Sequence, residues 1–424
     1  MRIPILQRLR ETRVLENYSF MTALSIFSAL IGLIIYPYVI RMTGKEAYGT
    51  YVYAFTIASF FQMFLNFGFD SPCAKAIVQA KDDLKEQCRI VSSVLFLKTG
   101  FSIICGFIFG ICIYWIPFMR TNWELCIISF VQLTALSFFP TWYFQGLKKM
   151  KLVTYINLGL RLCTIPFILW LVHSPQDIGL YAIIMMSSIV LGTIVAFVCL
   201  FVRGIRLQQV RFERDKQLLR DSLPFFATSI TGELKSFTVK TIIKHFFGVS
   251  EVAIYDFAEK LITIPRYFTQ NINEALFPEV VNNATPSRVQ RILKYERIIG
   301  ATFCMLIAML SYPAVLILGG RAMMDAVSVT IILSASIYTW LVAGAFINFV
   351  FIPTNRYYII TYNQIIAFVS CVIIALVGLF VWRNINMVAL GLCLSGFIEI
   401  LFCRYMSKRI EGSPLATNET KNVS

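Results

Sequence analysis

Charge is what this chain has least of. Only 14% of its 424 residues are charged, against 58% that are hydrophobic. A soluble fold of this length cannot hide that much apolar surface. Histidine is nearly absent: His173 and His245 are the only two, and neither sits in a metal-ligand spacing. The 11 cysteines include no CxxC pair, and most fall within apolar runs. Small buried thiols fit that placement, while a disulfide framework or a metal site does not. No GxxxxGK[ST] loop is present, so ATP does not drive the chain directly. HExxH, G-x-S-x-G and any paired-carboxylate loop outside the apolar runs are also missing, so no catalytic residue and no cofactor is expected.

What is there is a succession of long apolar runs. We read twelve, at 19–40, 48–67, 90–116, 123–144, 152–172, 178–202, 223–246, 250–268, 298–318, 326–352, 358–382 and 386–406. A helical span needs roughly 20 such residues. The runs are continuous and do not alternate, so helices are expected and not barrel strands. The expected fold is therefore an all-α membrane protein of twelve transmembrane helices. Loops between the runs are too short to hold a catalytic domain. The first run is too long for a signal-peptide core and reads as a retained helix.

The longest basic loop lies near the middle and suggests two lobes. The expected organisation is a cytoplasmic N-terminus 1–18, an N-lobe 19–202, an inter-lobe loop 203–222, a C-lobe 223–406 and a cytoplasmic tail 407–424. One trace of an internal repeat supports the division. Gly44, Tyr51 and Ala54 share the spacing G-x6-Y-x2-A with Gly248, Tyr255 and Ala258. Lys and Arg number 26 in the segments read as cytoplasmic and 5 in those read as outer. That bias places both termini inside. It also spreads the net charge of +15 over many loops, which excludes a nucleic-acid partner.

Besides Arg404 at the end of the last run, which is counted with the cytoplasmic tail, seven cations fall inside the spans, and a charge at mid-bilayer costs at least ~2.5 kcal/mol. Lys244 and Arg266 lie near span ends and can snorkel. Arg161 and Lys235 sit at span centres, and Lys98, Lys240 and Lys260 join them as candidate substrate-binding groups. The acids are fewer: Glu233, Asp256, Glu259 and Glu399 are the candidates for ion coupling. An excess of cations predicts a wet, positively charged cavity with anionic cargo.

Two blocks carry a family resemblance. The first is Tyr36-Pro37-Tyr38-Val39-Ile40-Arg41, then Gly44, Tyr48-Gly49 and Asn66-Phe67-Gly68-Phe69. The second is Pro140-Thr141-Trp142-Tyr143-Phe144-Gln145-Gly146, followed by Lys149-Met150-Lys151. Together they resemble the bacterial O-antigen flippase branch of the multidrug/oligosaccharidyl-lipid/polysaccharide (MOP) exporter superfamily. Pro37, Arg41, Gly44, Tyr48, Gly49, Gly68, Pro140, Gln145 and Gly146 are then structural motif positions. The resemblance implies two six-helix lobes related by a pseudo-two-fold axis, as in MATE transporters. It implies alternating access that moves an oligosaccharide linked to undecaprenyl diphosphate across the bacterial inner membrane. Membrane lipids, a polysaccharide polymerase and a chain-length regulator are the implied partners. The rival reading is a small-molecule antiporter of the same superfamily, which would want carboxylates without so many lysines.

Overall fold

The computed structural model describes residues 3–208, 212–282, 286–354 and 356–411, and every regular element among them is helical. The chain opens with α1 (Ile3–Asn66), which a single non-helical residue, Gly44, divides in two. Gly44 has φ 77°, a left-handed conformation that side chains resist. A turn at Phe67 and Gly68 leads to α2 (Asp70–Gln79), then α3 (Leu84–Trp115) and α4 (Pro117–Thr121). Next come α5 (Trp123–Phe138), α6 (Thr141–Gly146), α7 (Met150–Leu171) and α8 (Ile178–Val202). The second half holds α9 (Phe212–Phe247), α10 (Val249–Asn282), α11 (Pro286–Gly319), α12 (Ala326–Phe346), α13 (Tyr357–Val381) and α14 (Ile385–Glu411). A five-residue π turn, Ile347–Phe351, extends α12.

Eleven of the twelve expected runs each lie along one helix but for a terminal residue, counting the π turn with α12, whereas the run 123–144 is broken at Phe139 and Pro140 into α5 and α6, because proline supplies no backbone N–H to continue the helix. Nine helices among the described residues are long and apolar enough to cross a bilayer. The other three runs lie outside that set: 19–40 for the most part, 223–246 and 250–268. α9 and α10 have the length to span but carry many more charges than those nine. The segments expected as loops are shorter than anticipated. Residues 212–222 are helical, because Leu218 and Leu219 pack against an apolar core and give α9 something to lean on. Residues 209–211 of that loop and 412–424 of the tail lie outside the described residues.

The chain forms two compact units, Met1–Ile230 and Thr231–Ser424, divided inside α9. In the first unit α1 packs on α5 and α7, α8 packs on α5 and α7, and α2 packs on α6. The two motif blocks meet here. Phe69, Cys73 and Ile77 share one buried cluster with Trp142, Tyr143 and Phe144. A Cβ on Gly146 would sit 2.7 Å from Ile77 and 2.8 Å from the Ala74 carbonyl, so only glycine lets α6 approach α2. Gly68 is bound twice over: its φ is +70°, and a Cβ there would meet the Phe226 nitrogen at 2.6 Å. Tyr143 donates its hydroxyl to Gln87 Oε1 at 3.1 Å, and Gln87 Nε2 donates in turn to the carbonyls of Ala80 and Lys81. Tyr48 is fully buried, whereas Arg41 and Gln145 are exposed.

In the second unit α12 is the central helix, packed on α10, α11 and α14. Small residues make this possible. A Cβ on Gly396 would lie 2.4 Å from Thr339 Oγ1, and one on Gly391 would lie 2.9 Å from the Ala375 nitrogen. Helices that share no hydrophobic driving force in lipid associate through such close contacts.

Candidate functional site

Gly248, with φ +96°, is the single residue that separates α9 from α10. The turn brings the charges of the two helices face to face. Lys240 Nζ lies 3.0 Å from Asp256 Oδ1 and 3.0 Å from Glu259 Oε2. Lys260 Nζ lies 2.5 Å from Asp256 Oδ2, one helical turn along α10. Asp256 and Lys240 are both buried, so each ion is stabilised by the other and not by water. A fourth contact reaches across the unit: Lys235 Nζ lies 3.2 Å from Glu399 Oε1 on α14.

Beside this network is a cavity of about 450 Å³ within the second unit. Its walls come from α9 (Gly232, Lys235, Ser236), α10 (Tyr255, Glu259, Arg266), α12 (Ser336, Thr339, Trp340), α13 (Gln364) and α14 (Gly396, Glu399). Arg266 Nη2 donates to Ser336 Oγ at 2.7 Å. The same guanidinium lies 4.8 Å from the centre of the Trp340 ring, within cation–π range. A Cβ on Gly232 would meet nothing within 4 Å, so the wall there is open.

The expected site residues fall in four places. Lys235, Glu259 and Glu399 line the cavity, and Lys240, Asp256 and Lys260 form the ion network behind it. Glu233 lies on α9 between Gly232 and Lys235, with an exposed side chain. Lys98 is buried in the first unit, where its Nζ donates to the carbonyl of Ser137. Arg161 lies midway along α7 with an exposed side chain, also in the first unit. Lining charges in the cavity balance, Lys235 and Arg266 against Glu259 and Glu399. Counting charges along the chain overlooks this, because the pairing runs between helices.

Trp340 and Thr339 are cavity residues that the sequence reading did not single out, and Arg266, read there as a snorkelling end residue, belongs with them. A signal for them existed. Tyr255, Glu259 and Arg266 stand at i, i+4 and i+11, one stripe of a helix. Ser336, Thr339, Trp340 and Ala343 repeat the same three-and-four spacing on α12.

An all-α, multi-pass membrane protein with a polar cavity inside an apolar bundle is the class these elements define. Its fold is that of the MOP superfamily. An inward-facing multidrug-resistance MATE family transporter of that superfamily superposes with a TM-score of 0.66 at 14% identity, over 91% of this chain and 96% of that one. The lipid II flippase MurJ, in an inward closed conformation, gives a TM-score of 0.68 at 14% identity, over 92% and 87%. The sequence profile of the polysaccharide biosynthesis protein family matches residues 14–283, and the chain belongs to that family. An Escherichia coli (strain K12) relative, named as a candidate O-antigen transporter, is 23% identical over 327 residues, covering 75% of this chain and 79% of the relative. These are names of transporters and a flippase, none of them an enzyme.

Proposed function

We propose that this protein is a flippase for oligosaccharide repeat units linked to undecaprenyl diphosphate. It moves them from the cytoplasmic to the periplasmic leaflet of the bacterial inner membrane, for O-antigen or another surface polysaccharide. The observation that carries this reading is a charge-bearing cavity among the helices of the second unit, in a multi-pass chain of the polysaccharide biosynthesis family. A sugar–diphosphate headgroup cannot cross ~30 Å of hydrocarbon unaided, while the polyprenyl tail can stay in lipid. Polar walls replace the water that the headgroup gives up.

The proposed arrangement has twelve spans, two lobes at 19–202 and 223–406, and both termini in the cytoplasm. Alternating access is the proposed motion. Arg161, exposed midway along α7, is the proposed contact for the diphosphate, through charge-assisted hydrogen bonds. Glu233, Asp256, Glu259 and Glu399 are the proposed coupling carboxylates. Three of them face a lysine, so a proton or a metal cation taken up there competes directly with an ion pair. An anion moving outward also runs down an inside-negative potential, worth ~2.3 kcal/mol per charge per 100 mV.

The test is deletion of the gene in its native host. Lipid-linked repeat units should accumulate on the cytoplasmic leaflet and surface polysaccharide should vanish, both restored by the intact gene. Surface polysaccharide that persists in the deletion strain removes the flippase reading.

A further inference from the structure

We propose that the cavity of the second unit is a sugar subsite: it seats uncharged sugar rings of the repeat unit and does not hold the diphosphate. This rests on the flippase reading and names which part of the headgroup this cavity takes. Charge is the first argument. A diphosphate demands a surplus of cations, and here two lining cations meet two lining acids, with Lys235 already 3.2 Å from Glu399. A dianion entering such a site would meet as much repulsion as attraction.

Shape and chemistry supply the second argument. Trp340 is 48% exposed while lining the cavity, although α12 is mostly buried. Arg266 covers one face of its ring. The remaining indole surface is a flat apolar platform, which suits the C–H face of a sugar ring. Around it stand Ser236 and Gln364, whose hydroxyl and amide both donate and accept, with Ser336 and Thr339, whose hydroxyls already donate to the Leu333 and Ser336 carbonyls and keep accepting capacity. Sugar hydroxyls need that mixture, and phosphate oxygens accept only. The volume of about 450 Å³ falls in the ~300–1,000 Å³ range of small-ligand sites. That is room for a short saccharide and not for a whole lipid-linked unit.

The experiment uses the full-length protein in lipid nanodiscs and isothermal titration calorimetry. The probes are the repeat-unit oligosaccharide, released from the host's own lipid-linked precursor without its diphosphate, and inorganic pyrophosphate. The variants are Trp340→Ala and Gly232→Leu, the second chosen because Gly232 lines the cavity and a Cβ there meets nothing within 4 Å. The oligosaccharide should bind wild type saturably and bind each variant about tenfold more weakly or worse. Pyrophosphate should not compete with it. Competition by pyrophosphate, equal affinity in both variants, or no oligosaccharide binding to wild type overturns the subsite. The gene-deletion test decides the flippase reading separately, whatever the titration gives.

Discussion

Lys240→Met probes the ion network most directly. Lys240 makes two contacts of 3.0 Å, with Asp256 and with Glu259. At an effective dielectric of about 20, each contact is worth roughly 5 kcal/mol of attraction before desolvation is counted. Desolvation consumes most of that gain, and removing one partner of a buried pair typically costs ~3–5 kcal/mol because the other is stranded. The loss here is unequal. Asp256 keeps Lys260, so its charge stays compensated. Glu259 keeps no second ion pair among the described residues, but its side chain is 28% exposed and can draw some water. The expected destabilisation is therefore at the low end, about 3 kcal/mol. Adding Glu259→Gln removes the stranded charge and should recover more than half of the loss. Denaturant unfolding of the purified protein in detergent micelles, followed by circular dichroism, measures both variants. A Lys240→Met midpoint equal to wild type refutes the network as a stabilising unit. So does a double variant no better than the single one.

Further outcomes follow from single residues. Gly68→Ala should lose more than about 2 kcal/mol and fold poorly, because it meets both a positive φ and backbone at 2.6 Å. Gly44→Ala meets only the φ penalty and should cost about 1 kcal/mol, so thermal unfolding should rank the two clearly. Lys98→Met should keep or raise stability and leave surface polysaccharide intact, because Lys98 is a buried cation that hydrogen-bonds a carbonyl; loss of polysaccharide at normal protein level would give Lys98 a role in transport. Arg161→Ala and Lys235→Ala should each reduce surface polysaccharide while immunoblots show normal protein, and unchanged polysaccharide in both would remove cations from the transport path.

The helical plan was legible because lipid imposes it: a continuous apolar run has no other way to satisfy its backbone. Every run read from the sequence is helical for most of its length, and only 123–144 is split, at Phe139–Pro140. Less legible were the short helices α2 and α6, whose close packing depends on Gly146 lacking a side chain. The cavity was half legible. Lys235, Glu259 and Glu399 stood out as charges in apolar surroundings. Their pairing did not, since Lys235 and Glu399 are 164 residues apart. Arg266 read as a snorkelling end residue, and only its place over Trp340 reveals an inward role. Glu296 precedes the apolar run 298–318 in the sequence, yet it is buried in α11 with neither carboxylate oxygen hydrogen-bonded among the described residues. Hydropathy has no means of seeing such a group, because burial depends on which neighbour leans over it.

The two glycine elbows carry a consequence for ancestry. Gly44 and Gly248 share a left-handed backbone, and each is followed at the same intervals by a buried tyrosine and a buried alanine. One glycine-bend pattern occurs twice, which is the mark a gene duplication would leave. Where the later copy has Asp256 and Glu259, the earlier has Val52 and Phe55. The bend is common to both, with apolar side chains behind one and a salt-rich seam behind the other.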